Sequence, residues 1–166
     1  MSTGNAGPRN RGLSPVLKWL RGTSNRTFIA WPLALLAAEA LLQAAMPSID
    51  WRALPLLAWG YLQYKWVGVY RTRIGGGGPG VSVPPDRIVD AGPYRWVRNP
   101  MYLGHLIFLA GLALVLHSWL GAALFAFHVP WFQARVREDE RHLLARFGEP
   151  YADYCRRVKR WIPGLV

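Results

Sequence analysis

Cysteine is almost absent from this 166-residue chain, which has one, Cys155. That excludes an internal disulfide and any cysteine-based metal cluster. The four histidines, His105, His117, His128 and His142, lack the spacing of a metalloprotease helix, so no metal is expected. Acidic residues are scarce too: nine Asp and Glu against 20 Lys and Arg leave a net charge of +11. Such a surplus suits nucleic acid, but no basic stripe stands apart from the apolar segments and no nucleic-acid motif occurs, so that partner is set aside. The run Gly75-Gly76-Gly77-Gly78-Pro79-Gly80 formally contains G-x-G-x-x-G. No strand precedes it, and Val81-Ser82-Val83-Pro84-Pro85 rather than a helix follows, which excludes a dinucleotide fingerprint and leaves a linker, a candidate hinge over a site.

What the chain does have is apolar sequence: 52% hydrophobic residues, nine of them Trp, and only 17% charged. Apolar runs joined by basic connectors describe an all-α integral membrane bundle. Phe28 to Met46, Ala53 to Tyr70, Met101 to Leu116 and Trp119 to Phe132 are the expected spans, the last two a hairpin turning at His117-Ser118. Glu39 interrupts the first span and should face other helices, near Gln63, while Lys65 lies close enough to the exit to snorkel. Arginines and lysines concentrate in the N-terminal segment, the middle connector and the tail, so the positive-inside rule places both termini and the connector on the cytoplasmic side of an inner membrane. Residues 1–26 read as a basic segment, with 1–12 lacking any core pattern and a short interfacial helix from Val16 to Arg21. Residues 27–166 form the membrane domain.

Two polar segments break this pattern. Ala91 to Gly104 combines a Gly92-Pro93 turn, Arg95 and Arg98, the aromatics Tyr94, Trp96 and Tyr102, and a helix start at Asn99-Pro100. Free amides at a helix start favour an anion, and the segment could hold a small charged ligand with a flat ring. Taken alone, it equally fits a juxtamembrane segment with an aromatic belt, the simpler reading. The second segment continues the fourth helix past Phe132. Val136, Glu140, Leu143, Leu144 and Phe147 share one face, and Arg135, Asp139, His142 and Arg146 form the adjacent polar one. Arg135 and Asp139 have i,i+4 ion-pair spacing. Gly148 stops that helix and Pro150 starts another, with Tyr151, Tyr154, Cys155 and Val158 on one side and a basic remainder suited to an anionic membrane surface.

Together these segments resemble the isoprenylcysteine carboxyl methyltransferases and their phospholipid methyltransferase relatives. The family's first pattern is similar to Gly92, Tyr94, Arg98-Asn99-Pro100 and Tyr102. Its second is similar to Asp139-Glu140, Leu143, Phe147-Gly148, Tyr151, Tyr154 and Arg160-Trp161-Ile162-Pro163. Asn99 stands where carboxyl methyltransferases usually have His, and Asp139 where they have Glu. The resemblance implies S-adenosylmethionine as cofactor, in a site built from 86–104 and 135–163. It implies cofactor contacts at Arg87, Ile88, Val89, Tyr94, Asn99, Pro100, Tyr102 and Asp139, and a substrate anchor at Arg135. Arg98 from the first pattern and Glu140 beside Asp139 complete the expected cofactor set. His105 is a candidate base, as is His128, with a hydrogen-bonded structural role the simpler alternative for either. The expected acceptor is a lipid or lipidated amphiphile, with carboxyl O-methylation favoured and headgroup N-methylation the alternative. The architecture also resembles NADPH-dependent sterol reductases, although an acidic pair would repel a polyphosphate. A non-catalytic scaffold is the third class.

Overall fold

The computed structural model describes residues 14–43, 48–78, 80, 81 and 83–161. The N-terminal residues 1–12, Met46 at the end of the first apolar run and the closing Ile162-Pro163 lie outside the described residues. Ser14 caps α1 (Pro15–Leu20), its Oγ accepting from the Leu17 amide at 3.3 Å. After α2 (Thr23–Asn25) and a π-helical turn (Arg26–Ala30) comes α3 (Trp31–Gln43). Then follow a 3₁₀ turn (Trp51–Ala53), α4 (Leu54–Gly75), a second 3₁₀ turn (Gly92–Arg95), α5 (Pro100–Val115), α6 (Trp119–Phe147) and α7 (Glu149–Arg157). Among the described residues the only β pairing is a single bridge between Val97 and Lys159, so the all-α class stands.

Small residues set the central helix pair. A Cβ on Gly60 of α4 would lie 2.4 Å from the Phe108 amide nitrogen of α5, and one on Gly111 would lie 2.6 Å from that of Leu57. The two backbones therefore touch, the close approach that glycine permits between apolar helices. The expected α5–α6 hairpin is present, turning through Leu116, His117 and Ser118, with His117 at φ 45°. Ser118 caps α6 by accepting from the Gly121 amide at 2.8 Å.

Two expectations are corrected here. Glu39 is buried, but it meets Ser118, whose hydroxyl donates to it, rather than Gln63. The start of α6 offers that carboxylate both a donor and the positive end of a helix. Gln63 instead donates to the Pro100 carbonyl at 3.0 Å. Among the described residues, moreover, no helix is both long and apolar enough to cross a membrane. With 16 residues, α5 reaches only about 24 Å at 1.5 Å per residue, against a core of about 30 Å. The longer α4 and α6 contain Lys65, Arg71 and Arg73, and the charged run after Gln133, respectively.

Gly148, at φ 62°, breaks the chain between α6 and α7 as its sequence suggests. Tyr151, Tyr154 and Val158 then pack on Ile88, Leu143 and Phe147, folding α7 back over the connector.

Candidate active site

The two polar segments meet around one cavity of about 450 Å³. Its walls come from the end of α4, the connector after the glycine run, the start of α5, the polar face of α6 and the inner face of α7. Gly92 makes the entry possible: it sits at φ 59°, and a Cβ there would lie 2.5 Å from Cζ of Tyr70. The turn it opens buries Tyr94, whose phenol is pushed well above its ordinary range by burial, with the Arg71 charge opposing. The Tyr154 hydroxyl donates to the Tyr94 carbonyl at 2.8 Å, fixing α7 to this turn.

At the centre, the Tyr102 hydroxyl donates to Asp139 Oδ2 at 2.5 Å, and Arg135 Nε lies 3.5 Å from Asp139 Oδ1. Burial raises the Asp139 carboxyl above its ordinary value, and the Tyr102 hydrogen bond and Arg135 charge only partly offset it. This carboxylate is under-neutralised and gains from a cation beside it. Arg135 keeps 41% of its side chain exposed, placing it at the mouth. His142 also lines the wall, with Nε2 3.2 Å from Glu138.

Behind the wall is a second polar cluster. Glu140 accepts from Arg98 Nε at 2.9 Å, from Arg160 Nη2 at 2.6 Å and from Asn99 Nδ2 at 3.1 Å. Arg98 Nη1 donates to the carbonyls of Cys155 and Val158, both at 2.7 Å, and the Arg98 amide donates to the Lys159 carbonyl at 2.9 Å. Burial pushes the Glu140 carboxyl upward, but the hydrogen bonds from Arg160, Arg98 and Asn99 outweigh it and hold it below its ordinary value. Burial raises the neighbouring Cys155 thiol, a poor setting for a reactive thiolate.

Of the site residues read from sequence, Ile88, Val89, Tyr94, Arg98, Asn99, Tyr102, Arg135 and Asp139 line the cavity. Glu140 does not; its carboxylate is committed to the cluster, so the acidic pair divides into one wall residue and one buried anchor. Each guanidinium nitrogen of Arg98 already has a protein partner. Asn99 occupies the cap position of α5 but makes no capping hydrogen bond, because its amide turns to Glu140. Arg87 is exposed and Pro100 is buried in the first turn of α5, both off the wall. His105 is also off the wall: wholly buried, with Nδ1 2.9 Å from the Met101 carbonyl and the rings of Phe28, Tyr64 and Phe132 around it. His128 has the same form, Nδ1 standing 2.8 Å from the Leu124 carbonyl. Trp96 is 62% exposed beneath Arg95 rather than in the cavity.

Sequence reasoning missed Arg71. It is buried on the cavity wall, and its Nη2 donates to the carbonyls of Gly78 and Gly80 at 2.7 and 2.6 Å. The linker is thus pinned at the cavity edge. Lys65 and Arg73 carry the same charge on the same helix but are exposed, so no local signal separates Arg71 from them.

Residues 79–150 match the family described as phospholipid methyltransferase. The chain is 33% identical over 78 residues to a protein-S-isoprenylcysteine O-methyltransferase of Schizosaccharomyces pombe, covering 46% of this chain and 33% of that protein. It is 36% identical over 78 residues to the protein of the same name from Saccharomyces cerevisiae, covering 46% and 32%. A nickel-cobalt-cadmium resistance protein of Alcaligenes xylosoxydans xylosoxydans is 32% identical over 78 residues, covering 47% and 37%. The chain thus spans about a third of the length of these relatives. The matched region holds Arg98, Asn99, Tyr102 and Asp139, which line the cavity where the two polar segments meet, and it is in this region that the chain is similar to the phospholipid methyltransferase family and to the isoprenylcysteine O-methyltransferases.

Proposed function

We propose that the protein is a membrane-bound, S-adenosylmethionine-dependent methyltransferase whose acceptor is a carboxylate on a lipid or lipidated amphiphile. The observation that carries this reading is Asp139, a half-buried carboxylate held by Tyr102 and flanked by Arg135 in a cavity of about 450 Å³. That volume suits a small molecule. The donor set fits the cofactor: Asp139 for an ammonium, Tyr94 and Tyr102 for a flat base or a sulfonium, Val81, Ile88 and Val89 for the apolar remainder. When bound, the cofactor supplies a methyl group already activated on a cationic sulfur for in-line displacement.

The chain's own part is positioning and exclusion of water, with no covalent nucleophile. Tyr102 fixes the rotamer of Asp139. Arg135, at the mouth, presents a planar fork that suits a carboxylate, which lysine does not reproduce. A carboxylate acceptor arrives deprotonated and needs no base, consistent with His105 lying off the wall. Headgroup N-methylation is the second reading. His142 beside Glu138 favours it, as an imidazole–carboxylate pair able to take an ammonium proton. Exposed Leu33, Leu41, Trp59, Leu62, Trp66, Trp119 and Phe127 support membrane association. The basic connectors support an inner-membrane orientation with the site and both termini cytoplasmic.

The test is incubation of the full chain with methyl-labelled S-adenosylmethionine and either a lipidated cysteine or phosphatidylethanolamine vesicles. The expected product is a methyl ester that mild alkali cleaves to labelled methanol. Arg135→Lys should slow transfer roughly tenfold or more, the scale of one lost charged hydrogen bond, while leaving cofactor affinity intact. Alkali-stable label in the headgroup would replace the carboxyl reading with the amine one. Absence of label from both acceptors would overturn the proposal.

A further inference from the structure

Arg71 is 7% exposed, lines the cavity, and has a buried Nε–H without a hydrogen-bond partner among the described residues. A buried cationic donor left unpaired is costly and calls for an explanation. The other cations on the wall differ from it in pairing or in depth. Arg98 has every nitrogen engaged by Glu140 or the tail carbonyls. Arg146 is exposed, donating to the Pro85 carbonyl at 3.1 Å and lying 3.6 Å from Asp86. Arg135 also has an Nε–H without a hydrogen-bond partner among the described residues, but its side chain is 41% exposed at the mouth, 3.5 Å from Asp139. Arg71 alone combines depth, charge and an unused donor, and its charge reaches both Tyr94 and Asp139 across the cavity.

We propose that Arg71 is the carboxylate-binding residue of the cavity, pairing the anionic end of an amino-acid ligand while Asp139 takes its ammonium. Two opposite charges on facing walls recognise a zwitterion, and a nucleoside lacking either group loses that contact. The two glycine carbonyls hold the guanidinium in place before the ligand arrives, so little rotamer entropy is lost on binding. This assignment rests on the methyl-donor reading, and the experiment separates the two.

Equilibrium binding is measured for S-adenosylhomocysteine and for its decarboxylated analogue, which keeps the amine, with wild type, Arg71→Met and Arg71→Gln. The glutamine variant retains an N–H for the glycine carbonyls and guards against collapse of the wall. Wild type should prefer the carboxylated nucleoside roughly tenfold or more. Both variants should lose that preference, binding the decarboxylated analogue as wild type does. An equal loss for both nucleosides in both variants overturns the assignment alone and makes Arg71 a wall support. Wild-type protein that binds neither nucleoside overturns the donor reading and this assignment together.

Discussion

Glu140→Gln is the sharpest perturbation available, because it separates a ligand contact from a structural anchor. The carboxylate is 8% exposed and accepts from three side chains, two of them arginines. The amide keeps the shape and one acceptor oxygen but removes the charge that offsets Arg98 and Arg160. Arg98 is 10% exposed and cannot recover hydration, whereas Arg160, at 25%, partly can. Breaking a buried pair from one side costs about 3–5 kcal/mol, and the remaining acceptor and the exposure of Arg160 place this case near the lower end, at about 3 kcal/mol. At roughly 2–4 °C per kcal/mol for a chain of this size, the midpoint should fall by roughly 6–12 °C. Thermal unfolding followed by circular dichroism in detergent measures it. Hydrogen exchange should show protection lost at 158–161, because Arg98 is then less well held against the Cys155 and Val158 carbonyls. A variant with wild-type midpoint and tail protection but abolished cofactor affinity would refute the anchor and return Glu140 to the ligand.

The pH dependence of that anchor has a definite sign: since Glu140's folded value is depressed, its stabilisation is present above the ordinary 4.5 and disappears as pH falls through the lower folded value, read by acid titration of tail protection. Asp139 has the opposite sign, its folded value lying above 3.8, so Asp139→Asn should leave neutral-pH stability unchanged or slightly higher while weakening S-adenosylhomocysteine binding roughly tenfold. Wild-type affinity should likewise fall as pH drops through that raised value, and calorimetry showing flat affinity there would remove Asp139 from the ligand. Gly60→Ala must separate α4 from α5, since its Cβ would meet Phe108 at 2.4 Å; a loss of roughly 1–3 kcal/mol is expected, and an unchanged midpoint would show that the pair is not in close contact.

What the sequence disclosed was local. The turn at His117-Ser118, the break at Gly148 and the polar face of Arg135, Asp139, His142 and Arg146 follow from residue chemistry and a period of 3.6, and the structure has each. Apart from the length of the spans, what the structure corrects is long-range partners. Asn99 has the residue type and position of a cap, yet a carboxylate 41 residues away takes its amide. Glu39 was expected near Gln63, but the donor that reaches it comes with the hairpin 79 residues on. Arg71 was indistinguishable from its exposed neighbours until the fold brought the glycine carbonyls to it. Burial and pairing of a charge depend on which helices meet, and no window on the sequence contains that information. Apolar runs suggest membrane association, but the helices they form are short or carry charges, so the exposed tryptophans and leucines support it better than length does.

The pairing of Arg98 with the carbonyls of Cys155 and Val158, and of Val97 with Lys159, has a consequence for vectorial synthesis. A chain made from the N-terminus can close α4 against α5 while the ribosome is still adding α6, because the glycines that join them are already translated. The cavity cannot be finished then, since the back of its wall is tied to residues made some sixty positions later. A nascent chain would therefore carry an assembled helical pair with an incomplete pocket, and competence to bind a ligand would arise in one step as residues 155–161 emerge and dock.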